Sequence, residues 1–160
     1  MTLGDFIALY QREHAVTRNV LHAFPADKQD FKPHERSNSA HQLAWTFVVE
    51  EMMMLKALAN EAVLGGGYPP APETWAEVLD AFDAVGAKVL AAAQAASEPS
   101  LNPVTFFIAP KKTGDYPAVT FIWFMLSDQI HHRGQLSVYN RMAGGKVPSI
   151  YGPSADEPWL

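Results

Sequence analysis

The residues best suited to chemistry in this sequence are Asp128 and His132, which lie four positions apart. They belong to a proline-free stretch, residues 118–143, whose apolar side chains recur every three or four positions. This spacing predicts a helix that presents both side chains on one face. Core-type residues share that predicted face: Phe121, Met125, Leu136 and Tyr139. We therefore expect Asp128 and His132 in the centre of a buried stripe.

A buried carboxylate and a buried imidazole both need polar partners. Leaving such a group unsatisfied costs about 1–3 kcal/mol. One partner would be a divalent metal ion, because two side chains four apart on a helix can hold one ion. The alternative is a structural hydrogen bond, which is the commoner situation for a histidine on an apolar helix face. The neighbouring His131 could exchange roles with His132.

His41 is the third candidate ligand, because it begins the apolar face of another predicted helix. If the two helices are neighbours, His41, Asp128 and His132 could meet. Two imidazoles and one carboxylate would suit a facial metal site with open positions or a hydrolytic zinc site. His14, on the apolar face of the first predicted helix, could line the same cavity. We expect Glu51, one position from the face of His41, to be a surface charge.

The composition of the chain excludes several kinds of protein. Its 160 residues are 48% hydrophobic and 18% charged, which suits one globular domain over residues 1–160. A net charge of -5 argues against nucleic acid as a partner. The absence of cysteine excludes disulfides, thiolate ligands and a cysteine nucleophile. We expect a cytoplasmic protein with no membrane partner, since the sequence has neither a signal peptide pattern nor a membrane-length apolar run.

Four helices are predicted to position the candidate ligands. Their approximate limits, set by cap residues and by glycine and proline breaks, are 3–23, 40–64, 73–96 and 118–143. Residues 98–117 form a long loop before the last helix, in which Val104–Ile108 could be a short strand or an extended segment. Helices of this size are about 30–40 Å long, which is typical of a four-helix bundle with sites between facing helices. The predicted fold class is therefore all-α.

The sequence around His132 resembles that of a known family. The segments that carry the resemblance are 131–136 (His-His-Arg-Gly-Gln-Leu), 138–141 (Val-Tyr-Asn-Arg), 147–152 (Val-Pro-Ser-Ile-Tyr-Gly) and 155–157 (Ala-Asp-Glu). With the His41 segment and the order of four helices, they resemble the DinB family of small bacterial proteins over most of the chain. The resemblance implies a four-helix bundle with up-down-down-up order, and a homodimer.

The same resemblance implies a divalent metal ion held by three side chains. The common family pattern is one histidine near the start of the second helix and His-x-x-x-His on the fourth. His41 and His132 match two of these positions, and Asp128 occupies the third, where many members have histidine. We expect Asp128 to coordinate directly, because a carboxylate is a competent ligand. The alternative is that Asp128 orients a histidine, which would leave a weaker site. Zinc, nickel, iron or manganese would suit this set of ligands.

The resemblance also bears on function. Related members look like metal-dependent transferases that use low-molecular-weight thiols, including a thiol-dependent isomerase. We therefore expect a metal-dependent enzyme, a thiol transferase or a hydrolase, that acts on a small molecule. A second hypothesis is a non-catalytic protein that binds a metal or another ligand. A third is a bundle whose polar residues are structural and whose role is dimeric interaction.

Overall fold

The computed structural model describes residues 2–160, which form four long helices and one two-stranded hairpin. These elements are α1 (Leu3–His22), α2 (Ala40–Leu58), α3 (Trp75–Ala95), β1 (Val104–Ala109), β2 (Lys112–Tyr116) and α4 (Ala118–Met142). The mostly helical class and the four predicted helices are confirmed, but α2 ends at Leu58 rather than near residue 64. The segment before α4 is a hairpin for much of its length, so the strand alternative for Val104–Ile108 was the correct one.

The first three helices begin at capping boxes. Thr2, Ser39 and Thr74 each accept a hydrogen bond from the backbone N–H of the third helical residue. The side chain of that residue accepts one from the backbone N–H of the cap in return. A cap of this kind contributes about 1 kcal/mol. α4 has no such cap and begins directly after Pro117, whose fixed backbone angle suits the start of a helix.

Helices α2 and α4 pack against each other in opposite directions. The side-chain amide of Gln129 donates to the carbonyl of Phe47 in the middle of the two helices. Further on, the hydroxyl of Tyr139 near the end of α4 donates to the carbonyl of Asn38, just before α2 begins. Contacts that move forward along α4 therefore move backward along α2. This arrangement sets the second half of α2 opposite the first half of α4.

The buried face of α4 is not the one that the spacing suggested. Gln129, Arg133 and Asn140 are at most 1% exposed, whereas Asp128 and His132 are only partly buried. The prediction that Asp128 and His132 lie in the centre of the stripe is therefore wrong: they flank it. The helix can turn its long polar side chains inward because each finds a partner there.

Arg133 is the clearest case of such a partnership. Its guanidinium is 2.7 Å from the carboxylate of Glu13 on α1, and both side chains are 1% exposed. It also donates to the hydroxyl of Thr17. The hydroxyl of Tyr151, in the segment after α4, donates to the same Glu13 carboxylate at 2.6 Å. The buried ion pair thus fixes α4 against α1 and holds the C-terminal segment on the bundle.

The hairpin covers the start of α4. Val104 pairs with Tyr116 in antiparallel register, and Phe106 packs on Phe121 with ring centroids 5.2 Å apart. Phe107 and Ile108 on the same strand remain about half exposed. Within residues 2–160, no helix combines the length and the apolar character needed to cross a membrane.

Candidate metal centre

Three side chains from two helices converge beside the core. Glu50 on α2 and Asp128 and His132 on α4 each offer a ligand atom, and these atoms all lie within 4.8 Å of one another. Asp128 and His132 share a face because they are one helical turn apart. The antiparallel packing of α2 brings Glu50 opposite them. We call Glu50, Asp128 and His132 the ligand trio.

Two atoms of the ligand trio lack the partners that burial requires. His132 Nδ1 lies 2.8 Å from Glu50 Oε1. Nevertheless, Nδ1 has no hydrogen bond of acceptable geometry, and neither does the buried Glu50 Oε2. Native proteins seldom leave buried polar atoms unsatisfied. An imidazole nitrogen and a carboxylate oxygen that are both buried without a hydrogen bond, in a group of three possible ligands, are suited to sharing a positively charged partner. The residues present therefore fit a bound cation.

The electrostatics of the ligand trio also favour a bound cation. Burial raises the pKa of Glu50 to about 7, although its contact with His132 opposes this rise, and the nearby Asp128 adds to it. The pKa of His132 is raised, chiefly by its contact with Glu50. Two carboxylates and a neutral imidazole carry a charge of about -2, which a divalent cation would neutralise. In its absence, the group retains a proton near neutral pH instead.

The ring of His132 is held in place from the α2 side. Phe47 meets it edge to face, with ring centroids 6.2 Å apart. Phe47 is fully buried, so its own position is fixed by the core. A ligand that a rigid aromatic side chain holds in this way keeps its donor atom oriented without metal.

A second polar cluster lies on the neighbouring side of α2. Glu51 Oε1 accepts a hydrogen bond from Tyr10 and is 2.8 Å from His14 Nδ1. The ring of His14 stacks on Phe82, with ring centroids 4.3 Å apart. It also lies so close to Gly86 that a Cβ at this position would clash with the imidazole. Glu51 is fully buried, so the expectation of a surface charge was wrong. Its Oε1 atom has both of these partners, whereas its buried Oε2 atom has none.

Comparisons with known proteins agree with this architecture. The family model described as "DinB family" matches residues 2–159. The chain belongs to the DinB family. A crystal structure of a DinB-like protein from Bacillus cereus ATCC 10987 superimposes with a TM-score of 0.74 at 21% identity, covering 91% of this chain and 95% of that one. The DinB-like protein YjoA from Bacillus subtilis gives 0.73 at 16% identity, with 91% and 97% covered.

One curated relative of this DinB chain matches over a short segment. It is the uncharacterized protein YrdA of Bacillus subtilis (strain 168), 46% identical over 41 residues. The match spans 26% of this chain and 25% of YrdA. The family assignment therefore depends on the family model, and the solved DinB-like structures support the fold.

The structure brings together two of the three predicted ligands of this DinB protein. Asp128 and His132 are in the ligand trio, and His41 is not. His41 precedes Glu50 by nine positions on the same helix, a distance of about 13 Å along the axis. Its Nε2 atom is buried without a hydrogen-bond partner. The structure sets Glu50, rather than His41, beside the α4 pair.

Glu50 is the residue that the sequence reasoning missed. The predicted apolar face of α2 began at His41, whereas the fully buried residues of this helix include Phe47 and Met54. A face centred on the latter places Glu50 near the buried side. A signal was available: the adjacent acids Glu50 and Glu51 interrupt a long apolar run. Carboxylates in such a position need partners.

Proposed function

We propose that this DinB protein binds a divalent metal ion through Glu50, Asp128 and His132, and that this centre is its functional site. The observation that carries the proposal is the convergence of three possible ligand atoms within 4.8 Å of one another, at a place where His132 Nδ1 and Glu50 Oε2 are buried without a hydrogen bond. A ligand trio held by hydrogen bonds alone would leave these two atoms unsatisfied. In this proposal Glu50 takes the place that the sequence suggested for His41.

The ligand trio would hold the ion through one imidazole nitrogen and two carboxylates. Zinc, nickel, iron or manganese is compatible with this donor set. Three protein ligands leave coordination positions open, which is typical of catalytic rather than structural sites. When bound, such an ion supplies Lewis acidity and lowers the pKa of a coordinated water or thiol. The raised pKa of Glu50 means that metal binding would compete with protons near neutral pH.

The reaction we favour is a metal-dependent transfer or hydrolysis with a small-molecule substrate, a low-molecular-weight thiol being the first choice. Membership of the DinB family and the incomplete ligand set support this choice. The alternative is binding of a metal or small ligand without catalysis. One observation favours it: the cavity beside His132 is lined by no carboxylate or amine that could serve as a general base.

Elemental analysis of the purified protein tests the proposed centre. We expect about one divalent ion per chain in the wild type and loss of the ion in His132→Ala, with the helical circular dichroism spectrum retained. Metal retained in His132→Ala would overturn the ligand set. Turnover of small thiols by the metal-loaded protein, absent after chelation, would separate the enzyme from the binding protein.

Three further features are part of the same proposal. The chain would form a single bundle domain over residues 1–160 in up-down-down-up order, which the antiparallel contacts of α2 and α4 support. It would be a homodimer, and the exposed Phe107, Ile108 and Phe124 support an apolar interface. It would act in the cytoplasm, with neither nucleic acid nor membrane as a partner. Light scattering of the purified protein tests the dimer.

A further inference from the structure

A cavity of about 400 Å³ opens beside the ligand trio, between the start of α2 and the end of α4. Its walls are formed by Ser37, Asn38, Leu43, Thr46, His132, Gln135 and Tyr139. This volume is within the range of small-molecule sites, about 300–1,000 Å³. His132 belongs to both the cavity and the ligand trio. A small molecule in the cavity would therefore lie against a proposed metal ligand.

The cavity and the ligand trio lie along one groove between the two helices. On α2, the groove side carries Leu43, Thr46 and Glu50, spaced three and four apart. On α4, it carries Asp128, His132, Gln135 and Tyr139, at the same kind of spacing. Residues at such intervals share a helix face. Because the helices are antiparallel, the cavity occupies one end of this groove and the ligand trio the other.

The walls of the cavity offer hydrogen-bonding groups without charge. The side-chain amide nitrogen of Gln135 is hydrogen-bonded to His131, so the Oε1 atom of Gln135 is available to a ligand. Thr46 donates to the carbonyl of Gln42, which leaves the oxygen lone pairs free to accept. Within residues 2–160, the side chain of Ser37 forms no hydrogen bond. The far wall is firm because the Tyr139 hydroxyl is tied to the backbone before α2.

The charge of the lining decides which ligands the cavity can accommodate. Apart from His132, none of its seven residues is of a charged type. A carboxylate or phosphate in the cavity would lose water without gaining an ion-pair partner, and such a transfer is costly. Hydroxyl and amide groups lose much less hydration free energy than charged groups do, and they form hydrogen bonds to the walls in its place.

From this lining we propose that the cavity binds the uncharged, hydroxyl- or amide-bearing part of a small molecule whose other end reaches the metal. The inference rests on the proposed metal centre and specifies its substrate class. Gln135 is the specificity-determining residue, since it lines the cavity and its carbonyl oxygen is available to accept a hydrogen bond from a ligand. An anionic small molecule, including an acidic thiol, is disfavoured at this position.

Cobalt(II)-loaded protein and two thiols of nearly equal size test the inference. The thiol groups of 1-thioglycerol and 3-mercaptopropionate both give a sulfur-to-cobalt charge-transfer band on binding, so their dissociation constants can be measured by titration. We expect 3-mercaptopropionate to bind at least about 10-fold more weakly than 1-thioglycerol. Gln135→Leu should weaken the binding of 1-thioglycerol by about 3- to 10-fold, which is the contribution of one hydrogen bond. Azide, which is too small to fill the cavity, should bind with equal affinity to the wild type and to Gln135→Leu.

A charge introduced at the same position should reverse the preference. Gln135 is exposed, so Gln135→Lys is compatible with folding, and it should favour 3-mercaptopropionate over 1-thioglycerol. Gln11→Lys, on an exposed position of α1, is the matched control and should leave both affinities unchanged. Equal affinities of the two thiols in the wild type, or no reversal in Gln135→Lys, would overturn the inference while leaving the metal centre intact. Failure of cobalt to bind would overturn the metal centre and this inference together.

Discussion

The substitution Glu50→Gln distinguishes a metal ligand from a structural carboxylate. Loss of a structural carboxylate should lower the stability of the metal-free protein, whereas loss of a metal ligand that lacks its ion should raise it. The amide has nearly the same shape as the carboxylate but cannot ionise. The pKa of Glu50 is about 7 in the folded protein against 4.5 ordinarily, because burial disfavours its charged form. Above pH 7, ionised Glu50 therefore destabilises the metal-free fold by about 3 kcal/mol.

The sign of the pH dependence follows from proton binding. With a pKa above its unfolded value, Glu50 binds its proton more tightly in the folded state. Below about pH 4.5, Glu50 is protonated in both states and does not destabilise the fold. As the pH rises from there through 7, the free energy of unfolding falls. The raised pKa of His132 acts in the same direction, since its contribution is present at low pH and is lost as the pH rises. Glu50→Gln should therefore flatten the pH profile of the metal-free protein.

Urea unfolding at pH 8.5, with and without zinc, measures this prediction. Without metal, we expect Glu50→Gln to be more stable than the wild type by about 1–3 kcal/mol. Zinc at 100 times its dissociation constant should stabilise the wild type by about 2.7 kcal/mol and leave Glu50→Gln unchanged. The exposed Glu61→Gln serves as the control and should behave as the wild type does. The reasoning is refuted if metal-free Glu50→Gln is the less stable protein and zinc still stabilises it.

Three further substitutions test the site and its surroundings. Asp128→Asn should lower zinc affinity at least about 10-fold while the protein remains folded, measured by competition with a chelator dye; unchanged affinity would remove Asp128 from the ligand set. His41→Ala should leave zinc at about one per chain by elemental analysis, and loss of zinc would restore His41 as a ligand. Gly86→Ala should destabilise by about 1–3 kcal/mol in urea unfolding, because its Cβ would meet the ring of His14; an unperturbed midpoint would contradict that close contact.

Local patterns in the sequence were sufficient to predict the helices. Capping residues and the breaks at proline and glycine act within a few positions of the chain, so the starts of α1 to α4 could be inferred without knowing the fold. The end of α2 could not, because the helix stops at Leu58, six residues before the predicted limit at the glycine break. The four-residue spacing of Asp128 and His132 likewise guarantees that they share a helix face. Which direction that face points is a different matter, because it depends on the neighbouring helices.

The sequence by itself determined the helical elements, the α4 half of the site and the DinB family. Only the tertiary structure decided that Glu50, rather than His41, stands opposite Asp128 and His132. The reason is that the rotation of a helix about its axis depends on the whole set of its buried contacts. Arg133 turns inward because Glu13, 120 positions away, neutralises it. Such pairings leave no periodic signal in the sequence.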